Sequence, residues 1–418
     1  MKVLIIGSGA REHALAWKIK QSPLLGSLYV SPGNPGMAEI AECLDIKIDE
    51  IEKLCEFAAS NSIDLTIVGP ELPLTLGIVD KFKERGLRIF GPNKYCAQLE
   101  GSKYFAKEIM VAAGIPTAAF THVSDLQAGL SFIRGNPGPY VLKADGLAAG
   151  KGVVIAQSRD EALDACSELF SKYPAGGVLI EQFLAGVEAS FIVATDGKRI
   201  LPMASSHDYK RVSDGDLGSN TGGMGSVCPS ARLSPDQEQL ALKTIIEPLL
   251  AEIERRGHRF CGFIYAGLML EPSGKFSVLE FNTRLGDPEC QAIMRRMQGD
   301  FLKCLSALSD QRSQVELSEL GWANEVCVNV VLAAEGYPEK PRLGDEITGI
   351  MEAHALEGVQ VFHAGTALNG RRLVCAGGRV LSVSALGATL SSARETAYKA
   401  VQLIRFNGRH FRTDIGRD

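Results

Sequence analysis

Short apolar runs alternate with amphipathic stretches over the first hundred positions. The runs KVLIIG, SLYVSPG, DLTIVGPE and LRIFGP have the apolar and β-branched content of strands, and stretches such as REHALAWKIKQS have helical periodicity. This alternation predicts a parallel α/β domain over residues 1–100, with helices on both faces of the sheet. Ligands of such a sheet bind at the carboxyl ends of its strands.

From residue 101 the pattern changes to a second unit, which we place at residues 101–324. The amphipathic stretch SKYFAKEIMVAAG predicts a helix that is capped by Ser102. Between about 118 and 190 the pattern predicts a small α+β subdomain. Its helices start at Ser124 and Ser158, and its strands cover PYVLKA, GVVIAQ and VLIEQF.

Longer strands follow this subdomain. They cover EASFIVATD, RILPMA, FIYAGLMLE and KFSVLEFN, and a glycine-rich loop through GDLGSNTGGMGS and a long helix from Ser234 lie between them. Residues 325–418 carry the β-rich stretches VCVNVVLAA and GGRVLSVSALG and close with a helix of about fifteen residues. The fold class is therefore α/β and α+β multidomain, with a β-rich C-terminal domain.

Composition narrows the class of protein. A chain of 418 residues has room for roughly two to four domains. The net charge of -5 gives no reason to expect nucleic acid or an anionic membrane as a partner. The first apolar run is too short for a signal peptide or a spanning helix, so we expect a cytoplasmic protein.

Cysteine and histidine give no metal signature. The ten cysteines are scattered singly from Cys43 to Cys375 without a C-x-x-C pair, and the seven histidines are equally dispersed. This spacing favours buried free thiols over disulfides or a zinc site.

KADGLAAGKGV, residues 143–153, places a glycine-rich turn between two lysines. The spacing from Gly146 to Gly150 is one residue short of a P-loop, and Gly152 replaces the magnesium-ligating hydroxyl, so a Walker motif is excluded. Two interpretations remain at this point. The turn either cradles a phosphate or forms a tight hairpin with a solvated Lys151 at its tip.

GSGARE, residues 7–12, follows a predicted strand and opens a predicted helix, as a dinucleotide fingerprint does. Glu12 fills the third glycine position, and no acid follows the second strand to bind a ribose hydroxyl, so NAD binding and a dehydrogenase are disfavoured. The backbone N–H groups of Gly7, Ser8 and Gly9 still suit a single phosphate at a helix N-terminus. A tight turn without a ligand is the alternative.

VLEFNTRLGDPE, residues 278–289, carries the acid that we expect to bind a metal ion. Side chains two apart on a strand face the same way, so Glu280 and Asn282 present two oxygens to one side. Two oxygen ligands with open positions suit Mg²⁺, which keeps waters and substrate phosphates in its shell. Arg284 follows at once and can grip a carboxylate or a transferring phosphoryl group. A lone edge-strand charge at Glu280 is the alternative.

Two further motifs carry polar side chains. In SSHDYKR, Asp208, Lys210 and Arg211 cluster before the glycine-rich loop, which Asn220 enters. The alternative here is a solvated run of charges.

In IEQFLAGVEASF, Glu181 ends one predicted strand and Glu188 lies in the next. Such an edge can hydrogen-bond an adenine through Glu181 and the backbone near Leu184, and Glu188 can accept ribose hydroxyls.

Together and in this order, the motifs resemble those of the glycinamide ribonucleotide synthetase family of ATP-grasp ligases. The similarity covers essentially the whole chain and rests on GSGAREHALAWK, DLTIVGPELPL, IFGP, QLEGSK, KADGLAAGKGV, the Glu181 strand, NTGGMG, GFIYAGLM, EFNTRLGDPE, VFHAGT and GGRVLSV. The resemblance implies an ATP-grasp core with a small lid subdomain, and it favours the phosphate interpretation of the glycine turn.

The family also implies a reaction. ATP phosphorylates the carboxylate of glycine, and the amine of 5-phosphoribosylamine attacks the glycyl phosphate to give glycinamide ribonucleotide, ADP and phosphate in de novo purine biosynthesis. This chemistry needs positioning and charge neutralisation more than a protein nucleophile. The implied cofactors are ATP and Mg²⁺, with Mn²⁺ as an alternative. The implied partners are the two small-molecule substrates, with no nucleic acid and no membrane, and the implied state is a monomer.

The resemblance further implies a role for individual residues. ATP is expected to contact Lys103, Lys143, Gly150, Lys151, Gly152, Glu181, Gln182, Phe183, Leu184, Glu188, Arg211 and Asn220. The metal ion is expected at Glu280 and Asn282, and the ribose phosphate substrate at Gly7, Ser8, Gly9, Glu71 and Asp208. The expected catalytic residues are Arg284, Asp287 and Lys210.

The chain departs from the family pattern at three places. The family usually has a second glycine where Ala10 stands, Gln-Asp-His at His207-Asp208-Tyr209, and Cys-Arg-Phe at Thr283-Arg284-Leu285. None of these changes removes a proposed ligand. The changes at His207 and Tyr209 put in question any role for an amide or an imidazole at those two positions.

Two alternatives to this function stay open. Another ATP-grasp ligase or carboxylase acting on a purine intermediate would keep the nucleotide residues but lack GSGAREHA and GGRVLSV together. A nucleotide sensor without catalysis could dispense with Glu280, Asn282 and Arg284, and all three are present.

Overall fold

The computed structural model describes residues 1–147, 152–310, 313, 317 and 320–417. The first unit contains the strands β1 (Lys2–Gly7), β2 (Ser27–Pro32), β3 (Glu42–Cys43), β4 (Leu65–Val68) and β5 (Ile89–Phe90). Its helices are α1 (Ala10–Ile19), α2 (Ile51–Ser60), α3 (Glu71–Leu76), α4 (Ile78–Glu84) and α5 (Lys94–Gly101), with a 3₁₀ turn at Met37–Glu39.

These five strands form the predicted parallel sheet, in the order β3-β2-β1-β4-β5. Because β1 and β4 are parallel neighbours, the loops that follow them leave from the same edge of the sheet. That edge carries Gly7 to Gly9 after β1 and Glu71 after β4.

The lid subdomain follows α6 (Lys103–Ala112), the helix that Ser102 caps as predicted by accepting the N–H of Phe105. The lid consists of β6 (Phe120–Val123), α7 (Leu126–Gly135), β7 (Tyr140–Ala144), β8 (Val153–Ala156), α8 (Arg159–Lys172) and β9 (Val178–Gln182). Its antiparallel strands have the order β6-β9-β7-β8. Helix α8 starts after Ser158 as predicted, but α7 starts one residue later than the predicted Ser124, because the Asp125 carboxylate caps it by accepting the N–H of Ala128 at 2.9 Å.

The core that follows contains most of the remaining site residues. Its strands are β10 (Val187–Thr195), β11 (Ile200–Pro202), β12 (His207–Asp208), β13 (Arg211–Ser213), β14 (Leu217–Asn220), β15 (Gly225–Cys228), β16 (Gly262–Leu270), β17 (Phe276–Asn282) and β18 (Met297–Gln298). Its helices are α9 (Pro235–Ala241), α10 (Glu247–Arg255), α11 (Glu289–Arg296) and α12 (Phe301–Ser309). The antiparallel core sheet has the order β11-β10-β16-β17.

Two local predictions differ from the structure of this core. The glycine-rich stretch predicted as a loop contains β14, which forms a hairpin with the preceding β13, with Arg211 opposite Asn220. The long helix predicted from Ser234 is interrupted by a π-helical segment over Leu242–Ile246, just before Pro248. Proline has no N–H to donate and crowds the carbonyl four residues earlier, so the regular hydrogen-bond ladder cannot continue there.

The C-terminal unit is β-rich, as predicted. Just before it, β19 (Gly321–Trp322) pairs with β18 of the core. The unit contains β20 (Val326–Ala333), α13 (Ile350–His354), β21 (Val359–His363), β22 (Thr366–Asn369), β23 (Arg372–Cys375), β24 (Arg379–Gly387) and α14 (Leu390–Leu403). The chain does not close with α14, since the last residues return to the sheet and bridge Ala333 to His410 and Thr348 to Arg405.

The C-terminal sheet is antiparallel and has the order β12-β15-β20-β24-β21. It therefore takes two strands from the segment before residue 324. The domain limits 1–100, 101–324 and 325–418 stay predictions.

One apolar cluster joins the first unit to the core. Phe90 of β5 packs edge-on against Phe263 of β16 with ring centroids 5.0 Å apart, and Phe301 of α12 lies in the same buried cluster. This shared packing fixes the carboxyl edge of the parallel sheet next to the core sheet. Within the described part of the chain, no helix has the length and apolar character to cross a bilayer.

Candidate active site

Residues from every unit line a cavity of about 730 Å³. Most of the predicted site residues are in its wall: Glu71, Lys103, Lys143, Gly152, Glu181, Gln182, Phe183, Leu184, Glu188, Asp208, Lys210, Arg211, Asn220, Glu280, Asn282, Arg284 and Asp287. Gly7, Ser8 and Gly9 are not part of the wall. Gly150 and Lys151 lie outside the described residues.

Glu280 and Asn282 face the same side of β17, and Asn282 Nδ2 lies 3.5 Å from Glu280 Oε1. Burial by itself would raise the pKa of Glu280, but Lys210, Lys143 and Lys103 outweigh burial and lower the pKa. Among the described residues, no group of three or more His, Cys, Asp or Glu side chains is placed to hold a metal ion. An ionised carboxylate with an asparagine side chain on the same face of the strand nevertheless fits Mg²⁺, because this ion completes its shell with water and substrate phosphates.

Two of these lysines lie where the lid meets the core. Lys103 Nζ donates to the carbonyl of Gly146, at the start of the glycine turn, at 2.9 Å. Lys143 Nζ donates to the carbonyl of Leu279, next to Glu280, at 3.0 Å. Burial lowers the pKa of Lys103, and the charge of Glu280 opposes that effect. Two ammonium groups beside an acid can hold a polyphosphate with its metal ion.

The third lysine is held by two acids. Lys210 Nζ lies 2.8 Å from Asp208 Oδ1 and 2.9 Å from Glu188 Oε2. Burial would lower the pKa of Lys210, but Asp208 and Glu188 raise it well above its usual value, so the side chain stays charged. Arg211 and Asn220, paired across the β13–β14 hairpin, lie beside it in the wall.

Glu181 is buried between two lysines. Its Oε2 lies 3.0 Å from Lys107 Nζ and its Oε1 3.0 Å from Lys143 Nζ, and the side chain is 2 % exposed. Its carboxylate is thus engaged inside the protein, and its main chain lies in a strand that pairs with β6 on one side and β7 on the other. Lys107 also donates to Thr117 Oγ1 at 2.7 Å and lines the cavity. Lys107 was not among the predicted site residues, although its spacing of four from Lys103 places both amines on one face of α6.

Arg284 is oriented by two acids of the first unit. Its Nη2 lies 2.8 Å from Glu100 Oε1, and its Nε lies 3.5 Å from Glu71 Oε2. Its Nη2 also donates to Asn282 Oδ1 at 3.0 Å, which links it to the proposed metal site. Burial raises the pKa of Glu100, and the charge of Arg284 opposes that effect. Glu100 was not among the predicted site residues, and its only signal in the sequence is its place in the motif QLEGSK.

The loop after β1 is filled by Glu12. The N–H of Gly9 donates to Glu12 Oε2 at 2.7 Å, and a Cβ at Gly7 would lie 2.3 Å from Glu12 Cγ. Arg11, which the sequence analysis did not single out, binds Glu12 Oε1 at 2.6 Å and lines the cavity. The loop therefore does not line the cavity itself. A role for its N–H groups in phosphate binding stays a prediction.

Glu289 is a further acid that the sequence analysis left without a role. It accepts a hydrogen bond from Ser190 Oγ at 2.9 Å and lines the cavity, together with Tyr265. Burial raises the pKa of Glu289, and the charge of Asp208 adds to that effect.

The unusual residues His207 and Tyr209 serve packing. Their side chains are buried, and His207 Nδ1 lies 2.9 Å from Ser230 Oγ. The Tyr209 hydroxyl accepts the N–H of Gly416 at 3.0 Å. Neither residue is among those that line the cavity.

Comparison with known proteins covers the whole chain. The phosphoribosylglycinamide synthetase N domain matches residues 1–100, the ATP-grasp (A) domain matches residues 101–290, and the C domain matches residues 327–418. The phosphoribosylamine-glycine ligase of Pseudomonas aeruginosa is 47% identical over 423 aligned positions, which cover 100% of this chain and 97% of that protein.

Solved structures agree with these sequence matches. The phosphoribosylamine-glycine ligase of Thermotoga maritima has a TM-score of 0.86 and 33% identity, over 99% of this chain and 100% of that one. The biotin carboxylase domain of the Hydrogenobacter thermophilus 2-oxoglutarate carboxylase, solved with the magnesium salt of ADP, has a TM-score of 0.74. It covers 98% of this chain and 91% of its own, but its 17% identity shows the fold alone. The chain therefore belongs to the phosphoribosylglycinamide synthetase family, whose central domain has the ATP-grasp fold.

Proposed function

We propose that this chain is an ATP-dependent ligase that joins glycine to 5-phosphoribosylamine in de novo purine biosynthesis. The products are glycinamide ribonucleotide, ADP and phosphate. The observation that carries the proposal is one cavity whose wall combines a first group, Lys103, Lys143 and Glu280, with a second group, Arg284 and Asp287. A nucleotide sensor has no need of the second group. Two phosphoribosylamine-glycine ligases align with essentially the whole chain at 47% and 33% sequence identity, which favours this activity over other ATP-grasp reactions on purine intermediates.

The nucleotide side of the cavity is formed by the lid and the core. Binding of ATP with Mg²⁺ is general in the ATP-grasp family. We assign the phosphates to Lys103, Lys143, Gly152, Arg211 and Asn220, and the nucleoside to Glu181, Gln182, Phe183, Leu184 and Glu188. Mg²⁺, or Mn²⁺ in its place, would be held by Glu280 and Asn282 and would neutralise charge on the triphosphate.

The reaction has two steps. A carboxylate oxygen of glycine attacks the γ-phosphorus, ADP leaves and glycyl phosphate forms. The amine nitrogen of phosphoribosylamine then attacks the acyl carbon, the bond from that carbon to the phosphate oxygen breaks, and the nitrogen loses a proton. Arg284 suits the glycine carboxylate and the acyl phosphate, and Asp287 suits the glycine ammonium group, because each pairs with the opposite charge.

The ribose phosphate substrate approaches from the parallel sheet. Lys210 supplies a cation in the wall, and Glu71 and Asp208 supply acceptors for hydroxyl groups. We place the phosphate group near the loop of residues 7–9, at the N-terminus of α1.

The test is release of ADP by the purified protein with ATP, Mg²⁺ and freshly generated phosphoribosylamine. Glycine, alanine and no amino acid are compared. We expect ADP release only when glycine and phosphoribosylamine are both present. ATP binding without turnover would favour a sensor, and turnover with another acid would keep the ATP site but overturn the assigned substrate.

A matched pair of variants ties the activity to this cavity. Glu280→Gln removes the proposed metal ligand, whereas Glu254→Gln changes an exposed acid on α10. Loss of glycine-dependent ADP release in the first variant alone would support the assignment. Equal activity in both would contradict it.

The oligomeric state, the localisation and the partners of the enzyme stay predictions. We propose that it works as a monomer in the cytoplasm, on small molecules, and without a nucleic acid or membrane partner. Size-exclusion chromatography with light scattering would test the oligomeric state.

A further inference from the structure

Arg379 lies where three distant segments of the chain meet. It is the first residue of β24 in the C-terminal sheet, and its guanidinium reaches into the cavity wall. Its Nη2 lies 2.9 Å from Asp287 Oδ2, and its Nη1 donates to the Asp287 carbonyl at 2.7 Å. Its Nη1 also donates to the carbonyl of Gly222. One side chain thus ties the motif around Asp287 to the glycine-rich turn at 222–223.

The absence of side chains in the glycine-rich turn at 222–223 leaves space for this guanidinium. A Cβ at Gly222 would lie 3.0 Å from Arg379 Cζ, so a side chain there would crowd the contact. Gly223 has a φ of +111°, and a Cβ on it would lie 2.3 Å from Cδ of Pro288. The N–H of Gly222 donates to the hydroxyl of Tyr337, a second residue of the C-terminal unit, at 3.1 Å. The N–H and the carbonyl of Gly222 are therefore both hydrogen-bonded to side chains of that unit.

The carboxylate of Asp287 is held at both oxygens. Oδ2 is bound by Arg379, and Oδ1 accepts a hydrogen bond from Gln291 Nε2 at 2.8 Å. Burial alone would raise the pKa of Asp287, but Arg379 and Arg11 outweigh burial and lower the pKa. Without Arg379 the acid would keep Gln291 and the more distant charges of Arg11 and Arg284, and it could rotate towards them.

We propose that Arg379 is a positioning residue for the ligation, which acts by fixing the Asp287 carboxylate and the 222–223 turn in the wall of the cavity. This inference rests on the proposed function, because Asp287 is the group assigned to glycine. Arginine suits the task, since its planar fork can bond a carboxylate and two carbonyls together, which a lysine ammonium cannot do in the same geometry. The sequence GGRVLSV thereby gains a role within the site.

The first test compares Arg379→Gln and Arg379→Lys with the control Arg394→Gln. Arg394 donates to the carbonyls of Thr413 and Ile415 in the same unit and does not line the cavity. We expect Arg379→Gln to lower kcat for glycine-dependent ADP release by about 100-fold, the scale of a 1 Å misplacement. The dissociation constant for ATP, measured by calorimetry, should change by less than about threefold, since Gly222, Gly223 and Asp287, which Arg379 contacts, are not assigned to ATP. The lysine variant should be intermediate, and Arg394→Gln should keep the wild-type kcat.

The second test asks whether Arg379 acts through Asp287. In a double-mutant cycle, Arg379→Gln and Asp287→Asn should be strongly non-additive, so that the double variant is no worse than about twofold below the worse single variant. Guanidinium ion should restore part of the activity of Arg379→Gln and none of that of Asp287→Asn. The positioning role would be overturned if the fold-losses of the two single variants multiplied in the double variant. A loss of ATP affinity equal to the loss of kcat would also overturn it.

These outcomes separate the inference from the function on which it rests. If the wild-type protein shows no glycine-dependent turnover, the proposed function fails and this role fails with it. If the wild-type protein turns over and folded Arg379→Gln does so equally well, only the positioning role fails. Circular dichroism and thermal unfolding of each variant establish that it is folded. If Arg379→Gln does not fold, Arg379→Lys replaces it in the kinetic test.

Discussion

We predict that two buried histidines lower the free energy of unfolding of this protein in mild acid. His13 lies in α1 and His363 ends β21, so their contact joins the first unit to the C-terminal sheet. The N–H of His363 donates to His13 Nδ1 at 2.9 Å, and the two side chains are only 5% and 6% exposed. A Cβ at Gly36 would lie 2.6 Å from both rings, so little space is left for water around a charged imidazole.

Burial is the main reason that both rings stay neutral. Burial, together with the charges of His363 and His354, lowers the pKa of His13 to about 3. Burial and the charge of His354 lower the pKa of His363 to about 4. In the unfolded chain both groups titrate near pH 6.5. Between pH 6.5 and about 4 the unfolded chain therefore binds two protons that the folded chain does not bind, and the free energy of unfolding falls as the pH falls.

The size of this effect follows from the difference between the pH of the experiment and the unfolded-state pKa of 6.5. At pH 5 each histidine should lower the free energy of unfolding by about 2 kcal/mol relative to pH 7.5, and the pair by about 4 kcal/mol. Above pH 7 neither group contributes to the pH dependence. The loss is a large part of the stability of a typical domain.

The assay is urea unfolding from pH 7.5 to pH 5, for the wild-type protein and for His13→Asn. The asparagine carbonyl can still accept the N–H of His363 but does not titrate. The variant loses ring packing against Phe362, whose centroid is 5.4 Å from that of His13, and this cost is the same at every pH. Between pH 7.5 and pH 5 the variant should lose about 2 kcal/mol less than the wild type. Carboxylate titrations are shared and cancel in the comparison, so parallel pH profiles would refute the reasoning.

Three other changes test the cavity. Glu280→Gln should lower kcat by about 100-fold or more, because an anionic metal ligand is lost, and should affect the midpoint of thermal unfolding far less; unchanged turnover would refute the magnesium assignment. Lys107→Met should lower the free energy of unfolding by about 3 kcal/mol in urea titrations, because buried Glu181 loses one of its two lysines, and should raise KM for ATP; an unchanged KM would limit Lys107 to stability. Glu100→Gln should reduce glycine-dependent turnover more than ATP affinity, since Arg284 loses its carboxylate partner at 2.8 Å, and equal losses would contradict that role.

The sequence by itself determined the elements and much of the site. Strand and helix periodicity is a local property, so the parallel sheet, the lid strands and the caps Ser102 and Ser158 followed from short stretches of chain. The pair Glu280 and Asn282 also followed from local geometry, because side chains two apart on a strand share a face.

Only the tertiary structure decided which charges meet. Lys107 binds Glu181 across 74 positions, and Arg379 binds Asp287 across 92 positions. Nothing in the local pattern marks such partners, because their distance depends on how the sheets pack and not on the spacing of the residues along the chain. The hairpin β13–β14 was missed for a related reason, since pairing between its strands overrides the weak strand propensity of a glycine-rich stretch. Local periodicity therefore determined the elements, and the free energy of packing them together determined the electrostatics of the site.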